Sequence, residues 1–373
     1  MNRLLAFRND WSGRGPLGSD IIGGTGYYRI TKPVQFLRDK YDVFEFGDLF
    51  VTNEKLKKVG KDWPLEEMVP NLIKDSDIVL MKNISHPGGL SWFAGGADYY
   101  NKPLILDMDD DYFAVDDLNP NRKYFKETEI TQITHKILFE SATAMIVATE
   151  PLAEVYKPYC KNIHVIPNYN DVEDWKFTKG KRSDGRIVIG WAGSLTHESD
   201  FTVVSDALME IWKKYGKKVI FSFCGAWPET MMTRFPKGSF IVQSGTRSML
   251  DFPQALALWG FDIGIAPIKQ SAFNDSKSHT KWIEYAMYKI PTVASNFGPY
   301  KRTLVDGYSG LLAETTDEWV DKISRLVDDA ALRQQIGQNA YDVAVKDWQW
   351  RDHAWRWGEV LDRYIGKGFR HDG

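Results

Sequence analysis

Short hydrophobic runs rich in Val and Ile recur along the chain between longer segments of mixed polarity. In order they are Arg3–Phe7, Asp77–Met81, Pro103–Met108, Ala144–Ala148, Ile163–Ile166, Arg186–Trp191, Val219–Cys224, Phe240–Gln243, Asp262–Pro267, Pro291–Ser295 and Gly310–Ala313. Near-continuous apolarity over so few residues predicts strands buried on both faces of a parallel sheet. Helix-length stretches lie between them, among them Lys123–Glu140, Asp200–Tyr215, Asp317–Ser324 and Ala330–Lys346. The alternation predicts an α/β protein with doubly wound sheets. Residues 168–184 break the pattern: they are polar, charged and aperiodic, so they read as a linker. A five-strand set precedes this linker and a six-strand set follows it, each enough for a Rossmann-like sheet. Two such units place a cleft between them, and these sheets bind ligands at their carboxyl edges.

The composition narrows the class. The 373 residues carry 47 Lys+Arg against 50 Asp+Glu, a formal charge of −3, with 43% hydrophobic residues. That is a globular composition with ample apolar volume for real cores. No stretch approaches the ~20 apolar residues that span a bilayer. The start offers only Leu4-Leu5-Ala6-Phe7 before charges return, so no secretory signal is visible and a cytoplasmic location is expected. Cys160 and Cys224 are too few for a disulfide framework or a zinc site and read as packing residues. Near-neutrality argues against a large sequence-independent grip on nucleic acid, although Arg3, Arg8, Arg14, Arg29 and Lys32 allow a local basic patch. The 14 Trp, 17 Tyr and 20 Phe are unusually many. Four tryptophans, Trp348, Trp350, Trp355 and Trp357, fall in a helical tail, while Tyr27, Tyr28, Trp92, Tyr99, Tyr100, Tyr112 and Phe113 fall in loops expected near the cleft.

Five places could carry chemistry. In the stretch from Phe273 to Ser295, helical spacing puts Lys277, Lys281 and Glu284 on adjacent faces at i, i+4 and i+7. Lysines at a helix N-terminus make an anion site suited to a diphosphate, and a carboxylate one turn deeper suits a ribose diol. A solvated Lys/Glu helix face with an ordinary salt bridge would give the same spacing. Gly23-Gly24-Thr25-Gly26 leads through Tyr27-Tyr28 to Arg29 and Pro33, a glycine loop before a helix that could approach a phosphate or sugar, or be only flexible. The carboxylates Asp107, Asp109, Asp110 and Asp111 follow a strand directly. They could hold Mg²⁺, serve as a general base toward a hydroxyl, or simply cap the next helix, and we favour the roles without metal. His86 lies in a Pro/Gly turn at a strand's carboxyl end, and His197 in the first turn of the second unit.

Several of these segments together resemble one family. Asn274-x-x-Lys277-Ser278-x-x-Lys281-Trp-x-Glu284-Tyr-Ala, Ile290-Pro-Thr-Val-Ala-Ser295 and Val305-Asp-Gly-Tyr-Ser-Gly-Leu-Leu312 are similar to the donor-site region of GT-B glycosyltransferases, in particular the large retaining group 1 family (family 4-like). Gly190-Trp-Ala-Gly193-Ser194-Leu-Thr-His197, Asp262-Ile-Gly-Ile-Ala-Pro267, Ala148-Thr-Glu-Pro-Leu152, Ile166-Pro-Asn168 and the Gly-x-x-Tyr-Tyr-Arg element ending at Arg29 agree with it.

The resemblance implies two Rossmann-like domains facing a cleft: residues 1–172 on the acceptor side, residues 173–345 binding the donor, and a helix in 346–373 packing back on the first domain. It implies transfer of a sugar, a hexosyl group in the expected case, from a nucleoside-diphosphate sugar to a hydroxyl, with retention and without a metal or other cofactor. Glu284 would contact the ribose, and Lys277 and Lys281 the diphosphate. Gly193 and Ser194 would offer backbone amides, and His86 would meet the sugar. Donor contacts would extend to Gly24, Gly26, Arg29, His197, Asn274 and Ser278, with Asp109 acting on the acceptor side. The family's second donor-site Glu is replaced by Ser276, with Asp275 beside it. Partners are thus the nucleotide sugar and a saccharide or other hydroxyl acceptor. A hydroxymethylated base in DNA is an alternative acceptor, sugar-nucleotide epimerisation an alternative reaction, and a non-catalytic two-lobed binding protein an alternative class.

Overall fold

The computed structural model describes residues 1–9, 21–47, 49–58, 60–61, 63–82, 84, 87–117, 119–120, 122, 128–226 and 229–369. Two six-stranded sheets are built wholly from parallel pairs. The first contains β1 (Asn2–Phe7), β2 (Tyr41–Phe46), β3 (Ile78–Met81), β4 (Leu104–Met108), β5 (Ala144–Val147) and β6 (Ile163–Val165), in the order β2-β1-β3-β4-β5-β6. The second contains β7 (Ile187–Gly193), β8 (Val219–Gly225), β9 (Phe240–Ser244), β10 (Ile263–Ala266), β11 (Thr292–Ser295) and β12 (Leu311–Ala313), in the order β12-β11-β10-β7-β8-β9. Chain order reverses between β1 and β3 in one sheet and between β7 and β10 in the other. Those are the switch points at which doubly wound sheets open a crevice at their carboxyl ends.

Every apolar run of the sequence became a strand, because β3, β4, β5, β10 and β11 are buried at all positions. The additional strand is β2, which makes the first sheet six-stranded where five were expected. It is an edge strand, and its sequence Tyr-Asp-Val-Phe-Glu-Phe alternates in burial instead of running continuously apolar. The helix expected from Asp200 is instead a 3-10 segment, Leu195–Val203, followed by an α-helix, Ser205–Tyr215. Of the helix expected over 123–140, residues Glu129–Glu140 are helical, capped by the Thr128 hydroxyl, and 123–127 lie outside the described residues.

The presumed linker is more than a tether. Asn168, Asn170 and Asp171 are buried. Val172–Trp175 forms a 3-10 turn, and Trp175 sits in the core of the second sheet. Asn170 also forms a parallel bridge with Gln349, so the chain's outward and return crossings run side by side. The returning helix Trp355–Tyr364 delivers Trp357, Val360 and Leu361 into the core around Leu4, Ile30 and Ile146 of the first sheet, together with Trp350. Trp350 and Trp357 are fully buried, whereas Trp355 is exposed. Of the aromatic loop residues expected near the cleft, Tyr28 lines it, while others pack elsewhere. Tyr112 stacks on His135 inside the first core, Trp92 packs against that core, and Tyr99 is 82% exposed. No described helix is long and apolar enough to cross a membrane.

Candidate functional site

A cavity of about 310 Å³ lies between the carboxyl edges of the two sheets. From the first sheet's side it is lined by Gly24, Thr25, Tyr28, Asp109, Asp110 and Asn168, and from the second's by Ser194, His197, Lys277, Ser278, Lys281 and Glu284, among others. Eight of the residues expected to contact donor or acceptor therefore share one cavity, namely Gly24, Asp109, Ser194, His197, Lys277, Ser278, Lys281 and Glu284, and Tyr28 and Asp110 join them.

The basic part comes from the segment after β10. A short helix, Ala272–Asp275, is capped by the Ser271 hydroxyl, and a turn leads to the helix Thr280–Met287. Lys277 thus sits in the turn before the helix and not on it, correcting the continuous helical spacing. Its ammonium lies 4.6 Å from the Phe273 ring centre, and among the described residues no carboxylate is within ion-pair distance. Lys281 donates to the Ala192 carbonyl at 2.8 Å and stands 4.9 Å from the centre of the Trp191 ring. Gly193 is what allows this approach: a Cβ there would lie 2.7 Å from Lys281 Nζ and 2.5 Å from the Trp191 ring. Its role is thus to seat the lysine, and Ser194 beside it reaches the cavity.

Glu284 faces this cation and accepts a hydrogen bond from Tyr28 Oη at 2.8 Å across the cleft. Burial pushes its carboxyl up to about 7, against the opposing pull of Lys281 and the Tyr28 hydroxyl. Burial likewise lowers the Lys281 ammonium to about 8, aided by Lys277 and opposed by Glu284. Both groups are held near the point where a charged ligand decides their ionisation.

His197 is held far below its usual range, at about 3, by burial and by the two lysines. Its ring is therefore neutral at pH 7, and Nδ1–H donates to Asp200 Oδ2 at 2.7 Å. Asp200 also accepts from Asn274 Nδ2 at 2.6 Å and from the Lys269 amide at 2.9 Å. Asn274 is thus a buried brace behind the cavity, not part of its lining.

The carboxylate cluster divides residue by residue. Asp107 is fully buried and paired with Arg29, and Asp109 bonds Lys82 at 3.1 Å. Asp111 accepts from the amides of Phe113 and Ala114 and so closes a turn, where the sequence suggested the cap of a helix. Asp110 keeps its carboxylate toward the cavity, where burial and Asp109 raise it to about 6 while Lys277 opposes. The open carboxylate is therefore Asp110, one residue beyond the expected Asp109. Asp107, Asp109 and Asp111 each accept from a neighbour, and among the described residues no group of three or more His, Cys, Asp or Glu is placed to hold a metal ion.

Arg29 requires correction. Expected to lend charge to a ligand, it is fully buried, and its guanidinium serves Asp107, the Ile166 carbonyl and Asn168. Gly26 is buried in the turn that carries Arg29 and does not line the cavity. The surface patch including Arg8, Arg29 and Lys32 also dissolves: Arg8 pairs with Glu45, and Lys32 pairs with Asp171 and Asp174, all largely buried except Asp174. His86 and Arg14 lie outside the described residues. Ser276 is buried with its hydroxyl on the Ala272 carbonyl, and Asp275 pairs outward with Arg302.

Sequence reasoning missed Asn168 as a cavity residue and Tyr28 as the partner of Glu284. Tyr28 occupies a π-helical stretch, Tyr27–Thr31, a local widening of the helix frequent at functional sites but invisible in one sequence.

Residues 280–343 match the sequence profile of the glycosyl transferases group 1. No curated protein sequence matches the chain. Among solved structures, HepE from Anabaena in complex with UDP-glucose superposes with a TM-score of 0.67 at 16% identity, covering 97% of this chain and 100% of that one. Sucrose-phosphate synthase from Thermosynechococcus elongatus gives 0.67 at 13% identity, with 97% and 99% covered. TarM of S. aureus gives 0.57 at 17% identity, covering 84% of this chain, which spans only 58% of the TarM chain's length. Two facing parallel sheets, a returning C-terminal helix and these superpositions give the chain the GT-B fold seen in those glycosyltransferase structures, and within it residues 280–343 match the glycosyl transferases group 1 profile.

Proposed function

We propose that the protein transfers a glycosyl group, a hexosyl group in the first instance, from a nucleoside-diphosphate sugar to a hydroxyl acceptor with retention. The observation that carries this reading is the cavity in which Lys277 and Lys281 stand beside a buried Glu284 between the two sheets. The transition state of such a transfer resembles an oxocarbenium ion, and negative charge collects on the departing diphosphate. Fixed cations in a partly water-excluded cavity stabilise that charge with little reorganisation, so the lysines serve as the electrostatic catalyst and no metal is invoked. Glu284, held by Tyr28, is placed to accept from a ribose diol. Asp110 on the opposite wall is placed to accept from a hydroxyl of the sugar or the acceptor. In this reading residues 1–172 serve the acceptor, 173–345 the donor, and 346–373 tie the two together. That HepE was crystallised with UDP-glucose makes a UDP-sugar the first donor to try.

A panel of UDP-, GDP- and ADP-sugars tests the proposal through release of free nucleotide and through melting temperature. Release or a thermal shift with one base supports it; neither with any donor ends it. Product anomeric configuration, read by NMR, decides retention. Lys277→Ala is expected to lower kcat by at least ~10²-fold, the loss typical of one preorganised charge contact, and an unchanged rate would remove Lys277 from the mechanism.

A further inference from the structure

Hydrogen bonds from three residues on the first sheet's side converge on one short segment of the second. Tyr28 reaches Glu284, the Thr149 hydroxyl donates to the Ser276 carbonyl at 2.7 Å, and Asn168 reaches Ser278 and Thr280. The last of these has a fixed polarity. Arg29 has only donors, so the atom of Asn168 that meets it at 2.9 Å is the amide oxygen. Arg29 is itself clamped by both oxygens of Asp107 and by the Ile166 carbonyl, and cannot turn away. The Asn168 amino group must then face the other way. It lies 2.8 Å from Ser278 Oγ and 3.3 Å from Thr280 Oγ1 and can only donate.

The two hydroxyls are also 2.7 Å apart. Both oxygens accept from Asn168, and one O–H is used between them. One hydroxyl proton is left without a partner among the described residues, and both residues line the cavity beside Lys277 and Lys281. A donor left over next to two ammonium groups suits an oxygen that only accepts, as in a diphosphate.

We propose that Asn168, oriented by Arg29, is a positioning residue that turns the Ser278–Thr280 hydroxyl pair into a hydrogen-bond donor toward the diphosphate of the nucleotide substrate. The assignment rests on the nucleotide-sugar reading of the cavity. It accounts for a fully buried arginine that reaches no ligand, and it places a residue of the crossing segment in control of the donor site.

Isothermal titration with UDP, GDP and ADP, and with inorganic pyrophosphate as a base-free probe, tests it on the full chain. Asn168→Asp replaces the amino donor by an acceptor. The hydroxyls then turn back toward position 168 and the cavity loses its donor, so affinity for the diphosphates should fall by about tenfold or more, one charge-assisted hydrogen bond being worth about that much. Asn168→Ala should cost less, and in the Ser278→Ala/Thr280→Val background it should cost nothing further. Melting temperature and circular dichroism establish that each variant is folded. Equal losses for Asn168→Asp and Asn168→Ala, or losses that add to those of the hydroxyl variants, would show a merely structural residue and overturn the assignment. Should Asn168→Asp fail to fold, additivity in the alanine cycle decides alone. If the wild-type protein binds none of the four probes, the nucleotide-sugar reading falls and this assignment with it.

Discussion

Glu284 is a carboxyl whose proton is held by its surroundings. In the unfolded chain it ionises near its ordinary value of 4.5, whereas burial lifts it to about 7 in the fold. Between those limits the native state binds more protons than the unfolded one, so this group's contribution to stability is lost as pH rises through the window. Lys281 behaves oppositely: its ammonium drops from 10.5 to about 8, so the unfolded state binds more protons between those values and stability rises with pH there. Thermal melts of wild type and Glu284→Gln from pH 4 to pH 8 should therefore show a decline across the lower window that the variant lacks. Parallel curves would mean that Glu284 stays ionised. At Gly193 the constraint is spatial. Gly193→Ala puts a methyl group where Lys281 and the Trp191 ring meet, and overpacking of this kind costs about 1–3 kcal/mol. The proposed transferase activity should fall by more than the loss of folded protein explains, because the lysine is displaced.

Strands and helices were legible to different degrees, for reasons visible in their packing. The eleven apolar runs announce buried strands because parallel strands covered on both faces have no polar face to interrupt them. Edge strand β2 escapes because its Asp42 and Glu45 break the run and its Val43 is only half-buried. The helix boundary at Lys277 was misplaced because i, i+4 spacing cannot distinguish a continuous helix from a turn followed by one. In the candidate site, charged residues near one another in sequence were found readily. Arg29, Asn168 and Tyr28 owe their placement to partners 78 to 256 positions away, which a single sequence does not display. The tryptophan-rich tail was the long-range feature that could be read, since large aromatics in an otherwise polar helix need a surface to bury against. Trp357 is fully buried, and its indole N–H donates to Asp107 at 3.2 Å. Trp357→Ala should destabilise the protein by about 3–5 kcal/mol in chemical denaturation, and a loss below ~1 kcal/mol would show that the tail is not an integral part of the first core.

Buried cations at the carboxyl edge of the first sheet are neutralised, whereas the cavity keeps a cation without an ion pair among the described residues. Buried pairs such as Arg29–Asp107, Lys82–Asp109 and Arg8–Glu45 lie at the carboxyl edge of the first sheet, each cation matched by a carboxylate. Lys277, in contrast, makes no ion pair among the described residues: it lies over an aromatic ring and acts on Asp110 only beyond ion-pair distance. A cation left without its counter-charge is a site prepared for an anion supplied from outside, at an electrostatic cost to the empty protein.

The paired crossings between the sheets carry a mechanical consequence. The Asn170 amide donates to the Trp348 carbonyl at 2.9 Å, and the Trp350 amide donates to the Asn170 carbonyl at 2.8 Å. Two chain segments stitched together in this way tie the halves twice at one place. They also make the union of the halves redundant. A protease that cuts the exposed residues near Lys181 severs only the outward crossing, and the carboxyl fragment still carries the tryptophans seated in the first core. The nicked protein should migrate as two bands under denaturing electrophoresis and elute as one particle from a sizing column. Two separate peaks would show that the continuous backbone, and not the seated tail, holds the halves together.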